Sequence, residues 1–112
     1  MELREENAGP VAVVAVEGRI DTNTAPELGR TLADAITAGR IRLVLDLSAT
    51  QYVSSAGLRI LLVTAKQIER ERGRFVLHGL TPRVRDVLDF SGLLTALNVC
   101  TDRSAAVASA AA

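Results

Sequence analysis

Cysteine and aromatic residues are almost missing from this sequence. Cys100 is the only cysteine, so no disulfide can form within the chain and nothing calls for an oxidising compartment. One Cys and one His, His78, cannot assemble the clustered ligands of a structural zinc site, and no metal is expected. Trp is absent, with one Tyr and two Phe, so any core must be aliphatic, built from Val, Leu, Ile and Ala. Neither sign of charge is in excess: 13 basic and 13 acidic residues are interspersed, without the clustered positive potential that nucleic acid or an anionic membrane demands.

Several motifs are missing too. No apolar run approaches the roughly 18 residues of a membrane span, and Met1-Glu2-Leu3-Arg4-Glu5-Glu6 lacks the apolar stretch of a signal peptide. A cytoplasmic protein with no direct membrane insertion is expected. Neither Gly-x-Gly-x-x-Gly nor the P-loop pattern occurs, so no cofactor is expected. A serine hydrolase would need a base beside its serine. The only histidine falls in a predicted strand, and no Gly-x-Ser-x-Gly elbow is present, so the chain is not read as an enzyme and His78 is read as a core or sheet residue. Asp21 and Asp46 fall near strand ends, where separate carboxylates are more often solvated or capping than metal-bound.

What is present is enough for a core. The 112 residues are 48% hydrophobic, which suits one domain over 1–112. Short β-branched runs alternate with helical patterns. Val11–Val16, Ile41–Leu47, Phe75–His78 and, more weakly, Leu97–Val99 read as strands, and the first residues can add an edge strand. Thr24-Ala25-Pro26-Glu27 carries a capping box and a helix-start proline, followed by Leu28, Leu32, Ala35 and Ile36, with Gly39 as the stop. A second helix opens near Ser55, turns Leu58, Leu61, Leu62, Ala65 and Ile68 one way, and stops at Gly73. The third opens at Thr81-Pro82, presents Val84, Val87 and Leu88, and ends at Ser91-Gly92. Arg83 and Arg85 near its start are offset by Asp86 and Asp89. This alternation predicts an α/β fold: a mixed, mainly parallel sheet of four or five strands packed with three to four helices. The Ala-rich tail from about 104 is expected to be a frayed helix or flexible.

In such sheets, sites form outside the carboxyl ends of the strands. Two loops fall there, Gly18–Thr24 and Ser48–Leu58, both rich in hydroxyl and small residues. Ser54 and Ser55 stand where the second loop turns into a helix, so a hydroxyl can cap a free backbone N–H. That is the usual role of serines in such a place. Gly57, in the first turn, costs the helix about 0.5–1 kcal/mol relative to Ala, and is expected to keep the surface low so that another protein can approach. A phosphate on Ser55 would meet the positive end of the helix dipole, yet would add about −1.5 to −2 charges to a docking surface.

Tyr52-Val53-Ser54-Ser55-Ala56-Gly57-Leu58-Arg59-Ile60-Leu61-Leu62 resembles the phosphorylation segment of the STAS domain, the family of bacterial anti-sigma factor antagonists. In it the acceptor stands two residues before a glycine followed by leucine. Gly18-Arg19-Ile20-Asp21 resembles the family's first loop, and Gly79-Leu80-Thr81-Pro82 through Ser91-Gly92-Leu93 its last helix. The likeness runs from about Val11 to Val99 in order. It implies a phosphorylation-controlled binding switch, with Ser55 at the acceptor position. Partner-binding residues would be Asp21, Thr22, Asn23, Ser54, Ala56, Gly57 and Arg59. The implied partners are an anti-sigma factor serine kinase with a histidine-kinase-like ATP-binding fold, held while Ser55 is unphosphorylated, and a PP2C-type phosphatase that restores the switch. Ser54 stands where many members carry an acidic residue, and Ala56 where many carry a hydroxyl, so two serines offer themselves at the acceptor site. The same fold also serves as a non-phosphorylated accessory subunit of membrane transporters or as a scaffold of stress-signalling complexes, which is the rival reading.

Overall fold

A computed structural model describes all 112 residues. Along the chain it runs β1 (Glu2–Ala8), β2 (Val11–Ile20), α1 (Ala25–Thr37), β3 (Arg42–Val53), α2 (Ser55–Arg70), β4 (Arg74–His78), α3 (Pro82–Phe90), α4 (Leu93–Ala96), β5 (Asn98–Cys100) and α5 (Arg103–Ala111). The strands form one five-stranded sheet in the order β1-β2-β3-β4-β5. β1 folds back antiparallel on β2, and every later pairing is parallel.

Each parallel strand lies beside its predecessor in sequence, so crossovers of one hand stack their helices on the same side. Strand alternation then sorts the side chains. Val14, Val16, Leu43, Leu45, Leu47, Phe75 and Leu77 point toward α1, α2 and α3, which contribute Leu28, Leu32, Leu61, Ile68, Val84 and Leu88. Val11, Val13, Val44 and Val76 point the other way. A parallel sheet cannot leave one of its faces wet, and α5 covers this one with Ala106 and Ala110, both buried. The Ala-rich tail, expected to be frayed or flexible, is therefore a docked helix. Asp102 caps it through a bond from the Ala105 amide (2.8 Å), and Arg42 donates to the carbonyls of Ala110 (2.9 Å) and Ala112 (2.7 Å) at its C-terminus.

Two predicted helix signals work differently in the fold. Thr24 precedes α1, but its side chain makes no cap bond to the helix; the loop before it takes the hydroxyl instead. Gly73 is not the residue that turns the end of α2. Arg72 takes the left-handed conformation (φ 60°), and Gly73 is needed because any Cβ there would strike the backbone of Ile41. β2 and β3 also run further than their apolar cores suggest, to Ile20 and Val53, across two register shifts between Ala15 and Arg19. The buried Thr50 hydroxyl donates to the Val16 carbonyl (2.9 Å) across this irregular stretch, so polar residues continue strands that hydrophobic pattern alone would end.

Candidate functional site

The extension of β2 and β3 brings the two hydroxyl-rich loops together. Ser54 N–H donates to the Ile20 carbonyl (2.8 Å), joining the end of one strand to the start of α2. Beside that joint the Arg19 guanidinium lies 4.3 Å from the centre of the Tyr52 ring, a cation–π contact.

Asp21 organises the first loop. Its Oδ1 accepts from the amides of Asn23 (2.9 Å) and Thr24 (3.0 Å). Asp21 N–H donates to the Thr24 hydroxyl (2.8 Å), whose own proton lies between the Arg19 carbonyl (2.8 Å) and Asp21 Oδ1 (3.2 Å). This is why Thr24 does not cap α1. The amide of Thr24, followed by that of Asn23, the Thr24 hydroxyl and the charge of Arg19, holds the Asp21 carboxyl below its ordinary value. Thr22 and Asn23 are left exposed at the loop tip.

The second loop gives its two serines different positions. Ser54 is the N-cap of α2, extended at φ −83° and ψ 173°, and its hydroxyl accepts from Gly57 N–H (3.2 Å). Ser55 is the first helical residue, is exposed, and its hydroxyl has no partner in the chain. The first turn of α2 carries no acidic side chain, and Arg59, one turn on, is exposed. A negative group on Ser55 would thus meet the helix dipole and a cation on its own helix.

Gly57 departs from expectation. It is buried, and a Cβ there would come within 2.7 Å of Ile20 Cγ2 and 2.9 Å of Val53 Cγ1. The glycine lets α2 settle onto the ends of β2 and β3; it does not lower an outer surface for a partner. Ala56 is half-buried against the main core. Of the residues singled out on the helix, Ser55 and Arg59 are the ones fully presented to solvent.

One feature escaped sequence reasoning. An open groove of about 530 Å³ lies between the start of α2 and α3, with Tyr52, Leu58, Val87 and Phe90 among its walls and Ser55 among its lining residues. Phe90 is 97% exposed. The predicted stripe of α3 divides: Val84 and Leu88 are buried, while the half-buried Val87 lines the groove. A second apolar pair spaced i, i+3, Val87 and Phe90, was the available signal.

His78 is a sheet residue, paired in register with Asp46 and buried, with Nε2 3.8 Å from Asp46 Oδ1. Burial pushes the Asp46 carboxyl up, but the Ser48 hydroxyl (2.6 Å) and amide (2.9 Å), helped by His78 and Arg103, outweigh it and hold the group below its ordinary value. Asp21 and Asp46 are each satisfied locally, and no three His, Cys, Asp or Glu side chains gather around a cation position. No helix is long and apolar enough to cross a membrane.

Comparison with known proteins bears on this geometry. The profile of the STAS domain matches residues 3–106. BtrV of Bordetella bronchiseptica, named as a candidate anti-sigma factor antagonist, is 37% identical over 108 residues, covering 96% of this chain and 93% of BtrV. The anti-sigma-F factor antagonist RsfB of Mycobacterium tuberculosis is 36% identical over 73 residues, which span 65% of this chain and 57% of RsfB. Among solved structures, an anti-sigma factor antagonist from Mycobacterium paratuberculosis superposes with a TM-score of 0.90 at 29% identity, covering 99% of this chain and 94% of that one.

Proposed function

The chain belongs to the STAS domain family, and we propose that it acts as an anti-sigma factor antagonist switched by phosphorylation of Ser55. With Ser55 free, it binds an anti-sigma factor serine kinase of histidine-kinase-like fold. The kinase transfers the γ-phosphoryl group of ATP to Ser55 Oγ: the Oγ–P bond forms, ADP leaves, and the hydroxyl proton passes to a base of the kinase. The phosphoprotein then lets go. A PP2C-type phosphatase hydrolyses the ester with water and restores the free serine.

The observation that carries this reading is the division of labour between the two serines. The Ser54 hydroxyl is engaged with Gly57 N–H, whereas that of Ser55 is exposed and unengaged at the positive end of a 16-residue helix. Phosphorylation there adds about −1.5 to −2 charges without disturbing a single hydrogen bond of the fold, so it acts on whatever covers the surface. Asp21, Thr22 and Asn23 adjoin that surface through the Ser54–Ile20 bond, and Arg59 flanks it. The names of the relatives BtrV and RsfB support the antagonist role.

The test is mass spectrometry of the protein after incubation with ATP, Mg²⁺ and each serine-kinase anti-sigma factor of the source organism. One phosphate on Ser55 is expected, lost in Ser55→Ala, which keeps kinase binding. Ser55→Asp is expected to remain folded and to bind the kinase more weakly. Phosphate on Ser54, or on neither serine, would overturn the assignment.

A further inference from the structure

We infer that the cavity at the C-terminal end of α2 is a binding site for a free α-amino acid with an apolar side chain. The cavity, of about 490 Å³, opens between the last turn of α2, the start of β4 and the α4–β5 junction, and its volume suits a small molecule. The buried Ile68, Phe75 and Leu97 form its floor. Glu69, Arg72 and Asn98 stand exposed on its walls. Ser55 lies at the opposite end of a 16-residue helix, about 24 Å away at about 1.5 Å per residue. The site is therefore separate from the phosphorylation surface and does not depend on it.

Arg72 is the informative residue. It follows Glu69 by three positions, the spacing at which opposite charges pair on a continuing helix. The two form no ion pair; instead Arg72 N–H donates to the Glu69 carbonyl (3.0 Å) as the chain leaves the helix. Arg72 is the one residue other than glycine in the left-handed region (φ 60°), where a side chain costs backbone energy and helix ends usually place glycine. The turn takes the charge of Arg72 out of helical register and leaves a cation and an anion unpaired around one apolar floor. That pattern complements a zwitterion. The ligand carboxylate meets the Arg72 guanidinium, and its ammonium meets Glu69 at the negative end of the α2 dipole. Asn98 Nδ2 donates to the Phe75 carbonyl (3.3 Å), which leaves Oδ1 to accept from the ammonium. Arg74 also lines the cavity, but its Nε is engaged with the Ser109 carbonyl of α5 (3.3 Å), so Arg72 is the cation left for the carboxylate. The side chain of the ligand covers Ile68, Phe75 and Leu97. A ligand with a single charge would leave Glu69 or Arg72 unanswered.

Amide NMR of the full chain, titrated with L-leucine and with L-phenylalanine, tests this. Saturable shifts are expected at Arg72, Phe75 and Asn98 and none at Ser55. Isocaproate lacks the amine, isoamylamine the carboxylate and glycine the side chain, and each is expected to bind about tenfold or more weakly than leucine. Glu69→Gln and Arg72→Gly are expected to weaken leucine binding by a similar factor. Arg72→Gly also separates binding from stability, because glycine suits the left-handed turn: it should melt at or above the temperature of the parent while losing the ligand. Lys66→Gln removes an exposed cation of the same helix outside the cavity and is expected to bind as wild type. No saturable shift with either amino acid overturns the proposal, as does unchanged leucine affinity in Arg72→Gly. Isocaproate binding as tightly as leucine overturns it too, since Glu69 then has no part in recognition. So do shifts centred on Leu58, Val87 and Phe90, which would place the ligand beside Ser55.

Discussion

At the start of α2, two adjacent serines differ in what their hydroxyls already do. Ser54 accepts from Gly57 N–H and closes the helix end, while Ser55 bonds to nothing in the chain. Loss of an N-cap costs about 1 kcal/mol, whereas an exposed, unengaged side chain can be truncated within about 0.5 kcal/mol. Urea denaturation is therefore expected to show Ser54→Ala destabilised by about 1 kcal/mol and Ser55→Ala nearly unchanged; the reverse order would mean that Ser55 is the cap. Gly57 carries a second prediction at this scale. Alanine would favour the helix by up to about 1 kcal/mol, but its methyl would press on Ile20 and Val53 at 2.7 and 2.9 Å, and overpacking costs about 1–3 kcal/mol. Gly57→Ala is expected to lower the unfolding midpoint, and a raised midpoint would show that those two side chains can yield. The sequence makes Gly57 visible as an anomaly in a helix, but whether the anomaly faces partner or core depends on Ile20, 37 residues earlier, which no local pattern reports.

Among the elements, α5 shows how little local signal a structurally necessary helix needs. The residues it buries fully against the sheet are small, Ala106 and Ala110, with the half-buried Val107 beside them, and it is held at its end by Arg42 and along its length by the bond from Arg74 Nε to the Ser109 carbonyl (3.3 Å). The Arg103–Glu6 ion pair (2.6 Å) is exposed and adds little. What fixes α5 is the close fit of methyl groups to Val11, Val13, Val44 and Val76. A larger side chain cannot be taken in without lifting the helix, so Ala106→Leu is expected to lose about 1–3 kcal/mol and to bind a hydrophobic dye as the valine face opens. A variant as stable as the parent, with no dye binding, would show that α5 is dispensable to this face. By contrast, α1 and α2 announce themselves through repeated Leu and Ile at helical spacing, because their apolar stripes must fill the larger core.

For the whole molecule, acid is the informative perturbation. Asp21 and Asp46 are both held below the ordinary carboxylate value of 3.8. A carboxyl whose folded value is depressed favours the native state above its unfolded value, and that contribution is lost as pH falls through the folded value. Unfolding free energy is thus expected to be level near neutrality and to decline below about pH 4. Asp21→Asn should remove part of the decline, and an equally steep decline in that variant would exclude Asp21 as a source. With 13 charges of each sign, one phosphate changes the net charge from zero to about −1.5 to −2, and it does so at a helix end able to accept it. A switch of this kind works at the surface and leaves the fold standing.

The sequence by itself determined the strands and the three main helices, because hydrophobic spacing is a local property that each segment carries whole. It also made the Ser54-Ser55 helix start and the hydroxyl-rich loops legible, since caps and turns are read from neighbours in the chain. Only the tertiary structure decided that Gly57 is a packing residue, that Thr24 serves its loop, that the alanine tail closes the second face of the sheet, and that Phe90 stands exposed beside Ser55. Each of these depends on which distant residue lies across a gap of a few ångströms. That is set by strand order and by the common side taken by the crossover helices, and no window of sequence contains it.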